Sequence, residues 1–374
     1  MDGLGHLDAE LAKLRGANLL RQRRPPLPQA TLVLCSNDYL GFGSEPPYMG
    51  DASALSGAGA SRLVCGDHPQ HRQLEQAVAE WLQTEAALVF SSGYAANVGT
   101  LSALCQPGDV IVSDELNHAS IIDGCRLSGA TLRVVPHLDA ATVELALAES
   151  RSARRRWVVT ESYFSMDGNT PELATIHELC QAHDATLIVD EAHAVGVFGA
   201  AGRGLCQLAG VVPDVLIGTF SKAVGLQGAF VTGKKTLCEW LWNCARPFVF
   251  STGVSPWLAA ATTRRIEQVA AADDRREKLQ AITARFRDEL TALAAPIAPS
   301  HGPIVPWLAS KPQEVVALSQ RLLERGIFVS PIRPPTVPLD GSRLRFTLNA
   351  GLTFERLDWA VEVLGSELAR QVHT

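Results

Sequence analysis

One lysine in this chain is framed as reactive amines are. The stretch VLIGTFSKAVGLQGAFV at 215–231 places Ser221-Lys222 between two apolar runs, the pattern of a buried strand, a tight connection and a second buried strand. Such a lysine is costly to keep as a cation. Its pKa falls, and the free amine becomes a nucleophile able to form a Schiff base with an aldehyde or ketone. The bland alternative for an isolated loop lysine is a side chain that snorkels to water. Other reactive groups stand elsewhere. Asp190-Glu191-Ala192-His193 follows an apolar run, and His118 sits in NHAS at 117–120. Phe90-Ser91-Ser92-Gly93-Tyr94 reads as a strand, a turn and a helix start. Free backbone N–H groups and the positive dipole end at such a start bind phosphate, although plain capping by Ser92 would leave the same trace.

These groups matter only if the fold brings them together. Strands are expected at 87–90, 110–113, 132–135, 157–161, 186–190, 215–220 and 228–231, alternating with helices such as 68–83. That rhythm predicts an α/β fold with a mostly parallel sheet covered by helices on both faces. In such sheets ligands bind beyond the carboxyl ends of the strands. There lie Ser92-Gly93, His118, the 161–167 segment with Glu161 and Ser165, Asp190 and His193, and Thr219 to Lys222. The polar turn Ser36-Asn37-Asp38-Tyr39 also follows a short strand, 31–34. Three regions are expected: an N-terminal helix and arm at 1–50, a large ligand-binding domain at 51–255, and a connector helix with a small C-terminal α/β domain at 256–374. The first helix is read over 1–24, ending in Arg21, Arg23 and Arg24 before Pro25-Pro26. The basic cluster suits a helix C-terminus or an anionic substrate. The connector is read as one helix over 256–293, followed by strands at 304–308, 327–330 and 343–348 and helices at 313–325 and from 353.

Composition narrows the function further. Of 374 residues, 47% are hydrophobic and 19% charged, the balance of an ordinary soluble globular protein. A net charge of −6 gives no hint of nucleic-acid binding, and a polyanionic ligand would have to be met by local positive charge. The N-terminus has no apolar signal segment, and no apolar run is long enough to span a membrane, so a cytoplasmic protein is expected. Eight single cysteines without a C-x-x-C pair predict neither disulfides nor a metal site. A decoy must also be dismissed. DEAH at 190–193 and GAFVTGKK at 228–235 together imitate a nucleoside-triphosphatase. A phosphate-binding loop needs Ser or Thr at its last position to hold magnesium, and here that residue is Lys235. The intervening residues read as a strand, and the two motifs come in the wrong order.

The same residues suit pyridoxal phosphate. This cofactor needs a lysine, a carboxylate facing its ring nitrogen, a phosphate cradle and a group flat against the ring. Lys222 supplies the first, Asp190 the second, and Ser92, Gly93 and Thr219 the third. Either His118 or His193 can stack on the ring or hydrogen-bond its phenolic oxygen. Over nearly its whole length the chain also resembles the α-oxoamine synthases, fold-type I pyridoxal phosphate enzymes that condense an amino acid with an acyl thioester. The resemblance rests on SNDYLG at 36–41, GAGASRLVCG at 57–66, FSSGYAAN at 90–97, NHAS at 117–120, TESYFSMDGN at 160–169, VDEAHAVGVFG at 189–199 and TFSKAVGLQG at 219–228. Within the family, IRPPTVP at 332–338 and SRLRFTLNA at 342–350 resemble the biotin-pathway branch. That branch joins L-alanine to a pimeloyl thioester carried on coenzyme A or acyl carrier protein. The 5-aminolevulinate, 2-amino-3-ketobutyrate and serine palmitoyl branches are the alternatives.

The resemblance implies a role for each site residue. Lys222 carries the cofactor and moves the substrate proton. Asp190 pairs with the ring nitrogen, His193 and Ser165 lie near the phenolic oxygen, and His118 stacks on the ring. The Gly93-Tyr94 backbone and Thr219 hold the phosphate. Ser251 or Thr252 reaches the phosphate of a neighbouring subunit, which implies a homodimer. Arg333 binds the amino-acid carboxylate with Thr336 nearby, and Asn37 and Arg21 line the acyl side. The chain departs from the family pattern at Ala194-Val195 (usually Gly-Thr), Phe250 (often Tyr) and Cys65 (usually Ser), and its 43–57 stretch is shorter.

Overall fold

A computed structural model of the chain describes residues 3–17, 19–21, 23, 25–45, 55–309, 311–334, 336–338 and 340–372. Arg24, Pro335 and most of the shortened 43–57 stretch lie outside them. The chain divides into two compact units. The smaller comprises Met1–Ser36, Met166–Gly168 and Lys278–Thr374, and the larger Asn37–Ser165 and Asn169–Glu277. The divisions after Ser36 and Glu277 differ from the sequence-based ones at 50 and 255.

The larger unit is built on seven strands: β1 (Ala86–Phe90), β2 (Val110–Asp114), β3 (Thr131–Val135), β4 (Arg156–Glu161), β5 (Ala185–Asp190), β6 (Val215–Thr219) and β7 (Ala229–Gly233). Their order across the sheet is β1-β7-β6-β5-β4-β2-β3. Only β7 runs against its neighbours, pairing antiparallel with both β1 and β6. Strands β2 and β6 are buried at every position, as expected for strands covered on both faces. Leu101, Ile111, Ile121, Ile188, Ile217 and Val231 meet in the core between this sheet and its helices. The stretch resembling a phosphate-binding loop is β7 followed by the start of the helix Lys235–Cys244.

In the smaller unit, Ile304–Leu308, Arg343–Thr347 and Ser330–Ile332 form an antiparallel sheet. Leu32–Val33 pairs in parallel with Ile327–Phe328. This pairing ties the N-terminal segment to the C-terminal chain. It also splits the strand expected at 327–330, whose last residue joins the antiparallel sheet instead.

Two long helices are shorter than their polar patterns imply. The first covers His6–Gly16, not 1–24. The N–H groups of Leu19 and Leu20 both turn back onto the Leu14 carbonyl, at 2.8 and 3.1 Å. Arg21 therefore lies beyond the helix and does not complement its dipole. The expected 256–293 helix is two helices, Pro256–Ala270 and Asp273–Ala292. Arg276 explains the break. Its guanidinium donates to the Val269 and Ala270 carbonyls at 2.7 and 3.1 Å, and it pairs with Asp273 at 2.6 Å. It thereby caps the first helix from within the second. Among the described residues, no helix is long and apolar enough to cross a membrane.

The turn after β6 is held by a close approach. Gly225 has φ +72°, and a Cβ there would stand 2.4 Å from the Gly43 nitrogen. The substitution Gly225→Ala combines left-handed strain with a backbone clash and is expected to cost about 2 kcal/mol or more. A thermal melt should show a lowered midpoint for this variant; an unchanged midpoint would contradict the packing described.

Candidate active site

Strands β4 and β5 end side by side, with Glu161 opposite Asp190 in the parallel register. Both carboxyl groups are buried, at 4% and 6% exposure. Each oxygen of Asp190 has a donor: Oδ1 accepts from the Ala192 N–H at 2.8 Å and Oδ2 from the Asn97 amide at 2.7 Å. Asn97 lies one turn into the helix Gly93–Leu104, which starts directly beyond β1. The same amide donates to Ser120 Oγ at 3.0 Å. Ser120 in turn meets His118 Nδ1 through its hydroxyl at 2.7 Å and its N–H at 3.3 Å. A nitrogen that accepts a backbone N–H carries no proton, so the ring proton of neutral His118 is on Nε2. His118 caps the helix Ala119–Ser128, and its own N–H donates to Glu161 Oε1 at 2.7 Å. A continuous network thus links the ends of β4 and β5 to two helix starts.

Lys222 follows β6 and acts electrostatically on this network. Burial lowers the pKa of His118; the Asp190 charge raises it again, and the Lys222 charge lowers it. Burial also pushes Glu161 up to about 8, helped by the Asp190 charge and opposed by Lys222 and the His118 N–H. Both causes follow from the cost of holding charge away from water. The four groups therefore share one electrostatic environment, as their places beyond the strand ends require.

The proposed phosphate cradle lies beyond β1 and β6. Ser92 caps the helix Gly93–Leu104 by accepting the Ala95 N–H at 3.1 Å. The first N–H groups of that helix have no acceptor within it. A Cβ on Gly93 would lie 3.9 Å from both Cβ and Oγ1 of Thr219, so Gly93 faces the Thr219 side chain. Thr219 is buried, with its hydroxyl 2.9 Å from both Ser221 Oγ and the Gly228 carbonyl. The Tyr94 side chain is exposed and donates to Asp123, outside this cradle. Ser165 and His193 are buried, Asn37 is half-buried, and Ser251 and Thr252 are exposed.

The remaining candidates meet in the smaller unit. Arg21 Nη2 donates to Thr336 Oγ1 at 2.9 Å, the Thr336 N–H to the Arg333 carbonyl at 3.2 Å, and Arg333 Nη2 to the Leu20 carbonyl at 3.2 Å. Residues over 300 positions apart thus form one cluster.

The donor set in the larger unit fits pyridoxal phosphate. It offers a lysine, a buried carboxylate with lone pairs left for a ring N–H, and a helix start facing a threonine. Sequence reasoning passed over Asn97 and Ser120, which hold Asp190 and His118 in place. They lie inside the FSSGYAAN and NHAS stretches. Asn97 stands out only mildly on a helix of mostly small and apolar residues, and Ser120, on a helix that also carries Asp123 and Arg126, does not stand out at all.

One consequence is measurable without cofactor. Glu161 has its pKa raised from an ordinary 4.5 to about 8, so the folded state holds its proton more tightly than the unfolded chain. Its contribution to stability is complete below the ordinary value and is lost as pH rises through the raised one. Chemical denaturation of cofactor-free protein should show stability falling across that window, and Glu161→Gln should flatten the slope. An equal slope in both proteins would contradict the assignment.

Comparison with known proteins agrees with this geometry. The model of the aminotransferase class I and II family matches residues 30–364. A putative 8-amino-7-oxononanoate synthase from Geobacillus kaustophilus is 42% identical over 361 residues, covering 94% of this chain and 91% of its own. The 8-amino-7-oxononanoate synthase of Marinobacter nauticus is 43% identical over 374 residues, covering 95% and 94%. Among solved structures, a serine palmitoyltransferase from S. paucimobilis with a bound pyridoxal phosphate–myriocin adduct superposes with a TM-score of 0.88 at 27% identity, covering 97% of this chain and 96% of its own. The chain therefore belongs to the aminotransferase class I and II family, among pyridoxal phosphate enzymes of fold type I and in the branch of the 8-amino-7-oxononanoate synthases.

Proposed function

We propose that this chain condenses L-alanine with a pimeloyl thioester, releasing carbon dioxide and a free thiol and forming 8-amino-7-oxononanoate for biotin synthesis. The reading is carried by full-length similarity to 8-amino-7-oxononanoate synthases, 42–43% identical to this chain. The buried network around Asp190 and Lys222 supports it. Bound pyridoxal phosphate supplies an electron sink for the carbon that loses its proton.

The chain's own groups do the rest. Lys222 would hold the cofactor, and its amine would take the proton from the substrate Cα. Asp190, fixed by Asn97, accepts the ring N–H. His118 packs against the ring and keeps an Nε2 proton to donate. Ser165 and His193 serve the phenolic oxygen. Ser92, the Gly93 and Tyr94 N–H groups and Thr219 hold the phosphate. The partner subunit's Ser251 or Thr252 completes that cradle in a homodimer. The exposure of both side chains in the single chain supports this assignment.

Arg333 binds the alanine carboxylate, with Thr336 beside it, while Asn37 and Arg21 line the acyl side. By holding the carboxylate, Arg333 would fix the orientation of the substrate Cα and so would act in bond selection as well as in binding. The acyl carrier is coenzyme A or acyl carrier protein. The setting we propose is the cytoplasm, on the sequence pattern of eight single cysteines without a C-x-x-C pair.

A thiol-release assay crossing amino acids with acyl-coenzyme A esters tests the reading. Alanine with pimeloyl-coenzyme A should be turned over fastest, at least about tenfold above other pairs. Preference for serine with a palmitoyl thioester, or for glycine with a short acyl group, would assign the chain to a sister branch.

A further inference from the structure

Tyr39 and His193 make a direct contact inside the larger unit. Tyr39 Oη lies 2.6 Å from His193 Nδ1. The rings meet edge-on, with centroids 6.1 Å apart and planes at 67°. Tyr39 is 0% exposed and His193 6%, so water cannot replace either partner if they separate. The phenol is the better acid and the imidazole nitrogen the better base. Tyr39 therefore donates its hydroxyl proton to Nδ1, and the ring proton of neutral His193 resides on Nε2.

The phenol has little freedom to move. The Tyr39 N–H donates to the Asn37 carbonyl at 2.9 Å. Arg275 binds the Leu40 carbonyl at 2.9 Å and Arg265 the Phe42 carbonyl at 2.7 Å. Both guanidinium groups lie over the Phe42 ring, at 4.0 and 4.7 Å from its centroid. On its other side the turn abuts Gly225, in the connection that carries Lys222.

We propose that Tyr39 is a positioning residue for His193. Its hydroxyl holds Nδ1, sets the ring's orientation and makes Nε2 the proton donor towards the cofactor's phenolic oxygen. The inference rests on the reading that His193 serves that oxygen. Without the hydroxyl, the imidazole can rotate or adopt the other tautomer, and the donor is no longer assured.

A double-mutant cycle with Tyr39→Phe and His193→Ala tests this. The readouts are cofactor affinity and the ratio of the bound cofactor's absorption bands. In the native background Tyr39→Phe should weaken cofactor binding about three- to tenfold, the scale of one net hydrogen bond, and shift the band ratio. In the His193→Ala background it should do neither. Equal effects in both backgrounds, or none in the native one, would overturn the proposal. If His193→Ala leaves affinity and bands unchanged, the His193 assignment falls first and the Tyr39 proposal with it. A measurement on the native sequence is independent of how the variants fold. The ¹⁵N-histidine spectrum of the cofactor-free protein should show His193 with Nδ1 unprotonated and Nε2 protonated, and a protonated Nδ1 would overturn the proposal.

Discussion

Parallel pairing of β4 with β5 sets Glu161 beside Asp190, and both carboxyl groups are shut away from water. Two like charges cannot be held there cheaply, and much of the surrounding structure answers that problem. Asn97 and the Ala192 N–H satisfy Asp190, and the His118 N–H satisfies one oxygen of Glu161. The Lys222 charge opposes the rise in the Glu161 pKa. Around neutral pH, Glu161 and His118 are both held largely neutral by burial. This distribution of protons suits a site that must remove and return a proton at one carbon. It leaves neutral His118 with its ring proton on Nε2 and adds little negative charge from Glu161 beside Asp190.

The same elements do two jobs, which keeps the site economical. The helix Gly93–Leu104 offers its first N–H groups at one end and Asn97 one turn later. The helix Ala119–Ser128 is capped by His118, and that cap aligns the imidazole through Ser120. The connection after β6 brings Thr219 and Lys222 from one strand end, and Gly225 fixes its path. Arg21, Arg333 and Thr336 are gathered separately in the smaller unit, where hydrogen bonds join the two ends of the chain.

Much of this was legible in the sequence, for identifiable reasons. Strands β2, β4, β5 and β6 are short apolar runs closed by polar residues, and the rule that ligands gather at carboxyl ends pointed to the crevice. The helix ends were less visible because tertiary contacts set them. Arg276 folds back to cap the helix before its own, and the Leu14 carbonyl draws in the chain beyond Gly16. Neither contact leaves a periodic signature. The supporting residues Asn97, Ser120 and Tyr39 were hidden because each forms its contact through the fold. Tyr39 reaches His193 across 154 positions and Asn97 reaches Asp190 across 93. The antiparallel setting of β7 was equally silent, since an apolar run does not record its direction.

The central claim is that Lys222 is the residue that carries pyridoxal phosphate. Borohydride reduction of the loaded protein, followed by peptide mass spectrometry, tests this directly. The fixed cofactor mass should lie on Lys222 within the peptide containing TFSKAVGLQG. Its appearance on Lys234, Lys235 or another lysine, with Lys222 unmodified, would overturn the assignment of Lys222 as the cofactor lysine.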